Sequence, residues 1–230
     1  MQATGLIIGG KVVPCALPVF NMNDHGFSIV VGKGARRPAP KQEIDLAVWH
    51  WTGGEGSLAT LVHVLHTRGY GVEFYICDGQ IYQLADPVLV DAFGAGAYNP
   101  RAVSIEVQNY GFRNAGEPIP RNDRGTRPLI DAVQNGRKRK FAAFWDDDLR
   151  ACCALADALS TAIPSIPRTT PVGLDGKVYS DFITPAQMRT VKGHVGHFQL
   201  SKMKSDPGPQ LLQRFLDEKV VTGASPLQGR

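Results

Sequence analysis

The chain has little that would hold it together from outside or fix it in a membrane. Four cysteines occur in 230 residues, Cys15, Cys77, Cys152 and Cys153, with no Cys-x-x-Cys spacing. The adjacent pair falls on an expected helix, where neighbours point to different sides, so free buried thiols are expected rather than disulfides. No apolar run approaches the roughly 20 residues needed to span a bilayer, so no stable membrane insertion is expected. The first ten residues, Met1 to Gly10, lack a basic start and a long apolar core and do not read as a signal peptide. No internal repeat is present. The net charge is a mild +4, which favours an anionic polymer or surface without naming one. The basic run Arg137-Lys138-Arg139-Lys140 has no aromatic or groove-reading companions, which argues against nucleic acid. Such a run is ordinarily a solvated loop, and its functional reading is docking to anionic envelope polymers or lipid headgroups.

What is present fits one soluble globular domain with a sizeable core: 43% of residues are hydrophobic and 20% charged. Short strands are predicted at Leu6–Ile8, Lys11–Val13 and Phe27–Val31, then a loop over Gly34–Pro40. The strand Leu46–His50 follows. A helix from Ser57 to about Arg68 carries Leu58, Leu61, Val62 and Leu65 at helical spacing, with Ser57 as N-cap. Strands Val72–Cys77 and Gln80–Leu84 flank the hairpin signal Asp78-Gly79. Ala102–Val107 is another strand. Residues Asn109 to about Lys140, rich in Gly, Pro, Asn and Arg, read as a long surface insertion. Helices are predicted at Asp146–Ala162, from Pro185 with Thr184 as N-cap, and from Gln210 to about Lys219; the tail from Thr222 reads as frayed. Strands interleaved with helices indicate an α/β class, a single domain with a mixed central β-sheet flanked by helices. The division is 1–44 as accessory strands and linker, 45–220 as the main domain with its insertion at about 110–140, and 221–230 as a flexible tail.

The chemistry concentrates near the C-terminal end, in Gly196-His197-Phe198-Gln199-Leu200 and Lys204-Ser205-Asp206-Pro207-Gly208-Pro209. A histidine followed by a carboxylate can hold a metal, and a lysine two residues before that carboxylate places a cation beside it. Catalytic zinc takes three protein ligands plus water, so a third is needed. His50, closing the strand Leu46–His50, is the best candidate. His194 rivals His197 but lacks the Gly-His-Phe-Gln-Leu context and reads as a supporting or surface residue. His63 and His66 sit a helical turn apart with no third ligand beside them, and read as a solvated helix face. Asp206 before Pro207 would also suit a helix start.

At this point the sequence resembles the zinc N-acetylmuramoyl-L-alanine amidases, with the peptidoglycan recognition proteins. Five motifs in order carry the resemblance: His50-Trp51-Thr52, then Phe74 to Gln83, Gly94 to Asn99, Ser104 to Asn109, and Gly196-His197 through Pro209. Together they span roughly residues 44–215 and leave the first 40 or so and the insertion unmatched. The resemblance implies zinc on His50, His197 and Asp206, and hydrolysis of the amide joining N-acetylmuramic acid to L-alanine of the stem peptide. It further implies Glu106 as general base and Lys204 as the cation that steadies the oxyanion. Alternation supports Glu106, placing Ser104, Glu106 and Gln108 on one face and Val103, Ile105 and Val107 on the other. Glu73 is the competing base. A glutamate close to zinc would be ionised and ready to accept a proton.

Trp51, Thr52, Asn99 and Arg101 are the expected substrate contacts. Three departures from the family stand out. Val72-Glu73 replaces a common Tyr-His, Gly94 replaces a common histidine and would open the substrate groove, and Trp51 replaces a histidine. The expected partner is peptidoglycan or a muropeptide and the expected state a monomer. The expected setting is a phage endolysin, made in the cytoplasm and acting as a bacteriolytic enzyme on the cell wall after release. The alternatives are a non-catalytic peptidoglycan-binding module on the same fold and a cytoplasmic muropeptide-recycling amidase.

Overall fold

The structure, a computed structural model, describes residues 5–27, 43–113, 117–118 and 121–224. The chain opens with β1 (Leu6–Ile8) and β2 (Lys11–Val13), an antiparallel pair, then β3 (Val19–Phe20) and the short α1 (Met22–His25). Next come β4 (Leu46–Trp51), α2 (Leu58–Arg68), β5 (Phe74–Cys77), β6 (Gln80–Gln83), a 3-10 turn over Gly96–Arg101, and β7 (Ala102–Val107). β8 (Phe112–Arg113), β9 (Arg121–Asn122), β10 (Gly125–Thr126), β11 (Leu129–Gln134) and β12 (Arg137–Ala142) follow. The last third holds α3 (Asp146–Ala162), β13 (Thr169–Thr170), α4 (Pro185–Met188), β14 (Gly193–Gly196), α5 (His197–Leu200), α6 (Pro209–Asp217) and β15 (Thr222–Gly223).

Six strands make the central sheet in the order β14-β4-β7-β5-β6-β3. It is mixed, with β14, β4, β7 and β5 mutually parallel and β6 antiparallel to β5. The continuous apolar run Leu46-Ala47-Val48-Trp49 is what a strand covered on both faces requires. Ala47 and Trp49 join Val103, Ile105 and Val107 against Leu155 and Leu159 of α3 and Leu211 and Phe215 of α6. On the opposite face Leu46, Val48 and Val195 pack against Ile183, Met188 and Leu200. Leu58 and Leu61 of α2 cover Val72 and Tyr75 beside them. Each fully buried Leu or Phe in these layers contributes about 1.5–3 kcal/mol. Three acidic residues in the first turn of α3, Asp146 to Asp148, suit the positive end of its dipole.

Most predicted elements stand within a residue or two of their expected bounds, and the Ser57 and Thr184 caps form as expected. The cysteines are free. The proposed strand Phe27–Val31 and loop Gly34–Pro40 fall almost wholly in 28–42, outside the described residues. Three other differences are physical. Val19–Phe20 adds a parallel edge strand to β6, and Leu6, Ile8 and Val19 share the core of α3 and α6, so these N-terminal strands pack into the main layers. The stretch expected as a surface loop instead holds a six-pair antiparallel hairpin, β11–β12, with β8 on its edge. Asn135 and Gly136 turn it, both with positive φ, 51° and 70°. Asn-Gly is the residue pair that such a twisted two-residue turn favours. At the far end Thr222–Gly223 pairs with Thr169–Thr170 rather than fraying.

Candidate functional site

The sheet register assembles the centre of the site. His50 pairs across β4–β7 with Glu106, and Glu106 pairs across β7–β5 with Tyr75. β14 pairs Gly196 with Trp49, so His197, one residue further, stands beside His50. His197 just beyond β14, His50 and Glu106 near the carboxyl ends of β4 and β7, and Tyr75 within β5 thus form one rung across the parallel strands. The carboxyl ends of its strands are where an open α/β sheet places its ligands. The two imidazoles lie with ring centroids 4.5 Å apart, edge to face, as neighbouring strands about 4.8 Å apart dictate.

Asp206 reaches this rung on the loop after α5. The Phe198 N–H donates to the Asp206 carbonyl at 2.9 Å, and Gln134 Nε2 donates to the Ser205 carbonyl at 2.8 Å. Gln199 fixes the turn that aims His197. Its side-chain oxygen accepts from the Gly196 N–H at 2.9 Å and its amide donates to the Tyr179 carbonyl at 2.7 Å. His50 Nδ1 and His197 Nδ1 lie 3.0 and 2.9 Å from the same oxygen, Asp206 Oδ2. One potential ligand atom from each of the three residues falls within 4.8 Å of the others. A divalent metal suits this donor set, two imidazoles and a carboxylate. The buried His50 Nε2 has no hydrogen-bond partner among the described residues.

Electrostatics sharpen the arrangement. Burial, then the neighbouring His197, pushes His50 down to about 4, so its imidazole is neutral at ordinary pH. Burial works to raise the Asp206 carboxyl, but hydrogen bonds from His197 and His50 outweigh it and hold the group well below the usual carboxylate range. Glu106 behaves oppositely. Burial and then the charge of Asp206 push it well above its ordinary value, against Lys204 and Arg68. An ionised Glu106, as the sequence leads one to expect, needs positive charge beside it to offset burial and Asp206. Lys204 is exposed and close enough for its charge to act on both His50 and Glu106.

The four expected substrate contacts each make contacts within the fold. Trp51 belongs to the opposite core, 5.7 Å centroid to centroid from Phe141 and against Gly111. Gly111 has φ 81° and a Cβ there would come within 2.9 Å of the indole. Thr52 is a turn residue whose hydroxyl bonds the Gly54 carbonyl and accepts from the Asn109 N–H at 3.2 Å. Asn99 is buried and its Oδ1 accepts from the Ala95 N–H at 2.6 Å. Arg101 grips Asp45 through two bonds of 2.6 and 2.7 Å and also donates to the carbonyls of Met188 and Val191. Arg101→Met should therefore cost about 1.5–3 kcal/mol of stability through lost charge-assisted bonds to the buried Asp45 carboxylate, which keeps Lys192 at 3.5 Å; the readout is a lower denaturant midpoint, with metal content unchanged. An unchanged midpoint with a raised KM would return Arg101 to the substrate.

Several other residues resolve. His194 is fully buried on the opposite face of the sheet; Trp49 Nε1 donates to its Nδ1 at 3.2 Å, leaving Nε2–H for Ser160 Oγ at 3.0 Å. It is a core residue, not a surface one. His63 and His66 are exposed on α2. Glu73 is buried and accepts from the Ser104 N–H at 2.7 Å, a structural carboxylate. Gly94 does not leave a gap: a Cβ there would meet Ser104 Oγ at 2.5 Å. The sequence reading missed Tyr75, whose hydroxyl donates to the Gly56 carbonyl at 2.8 Å and so ties the loop after β4 to the rung. It also missed Arg127, buried under Trp145 and paired at 2.8 Å with Glu55 of that loop. Only the β5–β7 pairing would have flagged Tyr75, and no local pattern announces Arg127.

No family model matches the chain, and no curated protein matches it in sequence. Solved structures do. PGRP-SA from Apis mellifera is 14% identical over 91% of this chain and 99% of its own, with a TM-score of 0.51. The N-acetylmuramoyl-L-alanine amidase LysC from Clostridium intestinale is also 14% identical, over 89% and 95%, with a TM-score of 0.49. The amidase AmiD from E. coli, solved with anhydro-N-acetylmuramic acid-L-Ala-D-γ-Glu-L-Lys, is 19% identical over 84% of this chain and 63% of its own, TM-score 0.48. The chain has the amidase/peptidoglycan recognition protein fold.

Proposed function

We propose that this chain is a zinc-dependent N-acetylmuramoyl-L-alanine amidase that cleaves the amide between N-acetylmuramic acid and the L-alanine of the stem peptide. The observation that carries the reading is the rung itself: His50, His197 and Asp206 converge within 4.8 Å, with Glu106 paired beside His50. Zinc held by the three would polarise the amide carbonyl and make water more acidic. The chain's own residues do the rest. Glu106 takes a proton from the attacking water as the carbon–oxygen bond forms, then returns it to the leaving amine as the carbon–nitrogen bond breaks. Lys204 sets a positive charge where the oxyanion develops. The setting we favour is a phage endolysin, the net positive charge suiting an anionic wall.

A recognition-only module on this fold would have no need of a complete ligand set, and Asp206 completes one here. The decisive measurement uses purified sacculi. Free stem peptide should be released, release should stop with a chelator, and zinc should restore it. Binding to sacculi with no release under any of these conditions would leave the recognition module in its place.

A further inference from the structure

The basic run on β12 is not one patch. Strand alternation divides it: Lys140 turns to Asp131 at 2.9 Å, whereas Arg137 and Arg139 line a groove of about 630 Å³ together with Lys202. The groove lies between the β11–β12 hairpin and the segment 179–187. Its walls are fixed. The Asn135 N–H donates to the Ser180 carbonyl at 3.1 Å, the Phe182 N–H to Asn135 Oδ1 at 2.7 Å, and the Gly136 N–H to Asp181 Oδ1 at 3.1 Å. Two of its cations rest on aromatic faces, Arg139 at 4.4 Å from the Phe112 centroid and Lys202 at 5.5 Å from that of Phe182. Among the described residues none of Arg137, Arg139 and Lys202 is paired with a carboxylate, and Asp181 is the single carboxylate of the lining. Three cations, two of them resting on rings, are donors of the kind that bind an oxyanion.

Its position relates it to the metal cluster. The wall residue Tyr179 packs on the same sheet face as Val48 and Leu200, the face that carries His50. Lys202 is four residues from Asp206, so their Cα atoms are at most about 14 Å apart. A four-residue extended peptide covers the same span. We propose that Arg137, Arg139 and Lys202 form a carboxylate-binding subsite for the stem peptide, selecting substrates whose carboxyl groups are free over those in which they are amidated. This rests on the amidase reading for the choice of peptide, and Arg137 and Arg139 come from the insertion that the family resemblance leaves unmatched.

The test is equilibrium binding rather than turnover. The probe is the stem tetrapeptide beginning L-alanyl-γ-D-glutamyl, without sugar, as free acid and with every carboxyl amidated. It is titrated calorimetrically into the full chain and into the Arg137→Gln, Arg139→Gln, Lys202→Gln triple variant. The wild type should bind the free acid at least about 10-fold tighter than the amide, the effect of one charge-assisted bond. In the triple variant the ratio should fall to about 1. All three positions border an open groove, and the unfolding midpoint confirms that the variant is folded. An unchanged ratio in the folded variant overturns the proposal, and so does absence of peptide binding to the wild type. Preferential, Arg-dependent binding of a glycerol phosphate oligomer also overturns it, in favour of an anionic wall polymer. Cleavage of sacculi is scored separately: peptide selection without cleavage keeps the subsite and removes the amidase, and the converse does the reverse.

Discussion

Glu106→Gln should lower turnover on sacculi by about 100- to 10,000-fold, the range for a lost general acid–base, while the chain still binds one zinc. The two readouts separate because Glu106 neighbours the ligand cluster without belonging to it: it sits across the β4–β7 pair from His50, and none of its atoms is in the three-residue set. Glutamine keeps the shape and removes only the ability to take a proton. Stability should move the other way or not at all. Burial and the Asp206 charge already push Glu106 well above its ordinary value, so an ionised carboxylate there is costly and a neutral amide relieves that cost. Metal content by mass spectrometry, denaturant midpoint and peptide release give the three numbers. Turnover within a few-fold of wild type would remove Glu106 from the mechanism. Loss of zinc together with turnover would make it a support of the metal site instead.

The sequence disclosed the rung better than its surroundings, for a physical reason. His50, Glu106 and His197 sit at the ends of strands whose apolar runs are read directly, and parallel register then brings them together without further instruction. Asp206 was legible because it follows His197 closely in the chain. The walls depend on long-range packing that no local pattern encodes. Arg101 resembles a substrate contact in sequence, yet Asp45, 56 positions away, occupies its guanidinium. Trp51 follows His50 directly, but period-two alternation turns it to the other core. Gly94 suggested open space, and the close approach of Ser104 fills it. The hairpin inside the insertion was a local signal overlooked: Asn135-Gly136 between two runs of paired strand residues is as direct as Asp78-Gly79. Once that hairpin is in place, the basic run becomes two faces with different partners.

Asp206→Ala should weaken zinc binding by more than about 100-fold. Loss of a residue that merely supports a ligand costs 10- to 100-fold, and Asp206 is the only carboxylate of the three-residue set. Peptide release should fall with the metal. The loop itself should hold, since its attachments are through main chain: the Asp206 carbonyl accepts from Phe198 and the Ser205 carbonyl from Gln134. Binding of intact sacculi is therefore expected to survive, the Arg137, Arg139 and Lys202 groove being left in place. His50 should respond in a defined direction. The Asp206 hydrogen bond and charge raise its pKa against burial and His197, so removing them lowers it further and leaves the imidazole neutral. The variant then separates the two activities this fold can host. Zinc lost, cleavage lost and sacculus binding kept means that Asp206 converts a recognition surface into a hydrolase. Cleavage kept with zinc lost would place the chemistry outside the His50, His197 and Asp206 cluster. Binding lost along with cleavage would mean that the metal site itself holds the polymer, so that recognition and chemistry here share one set of atoms.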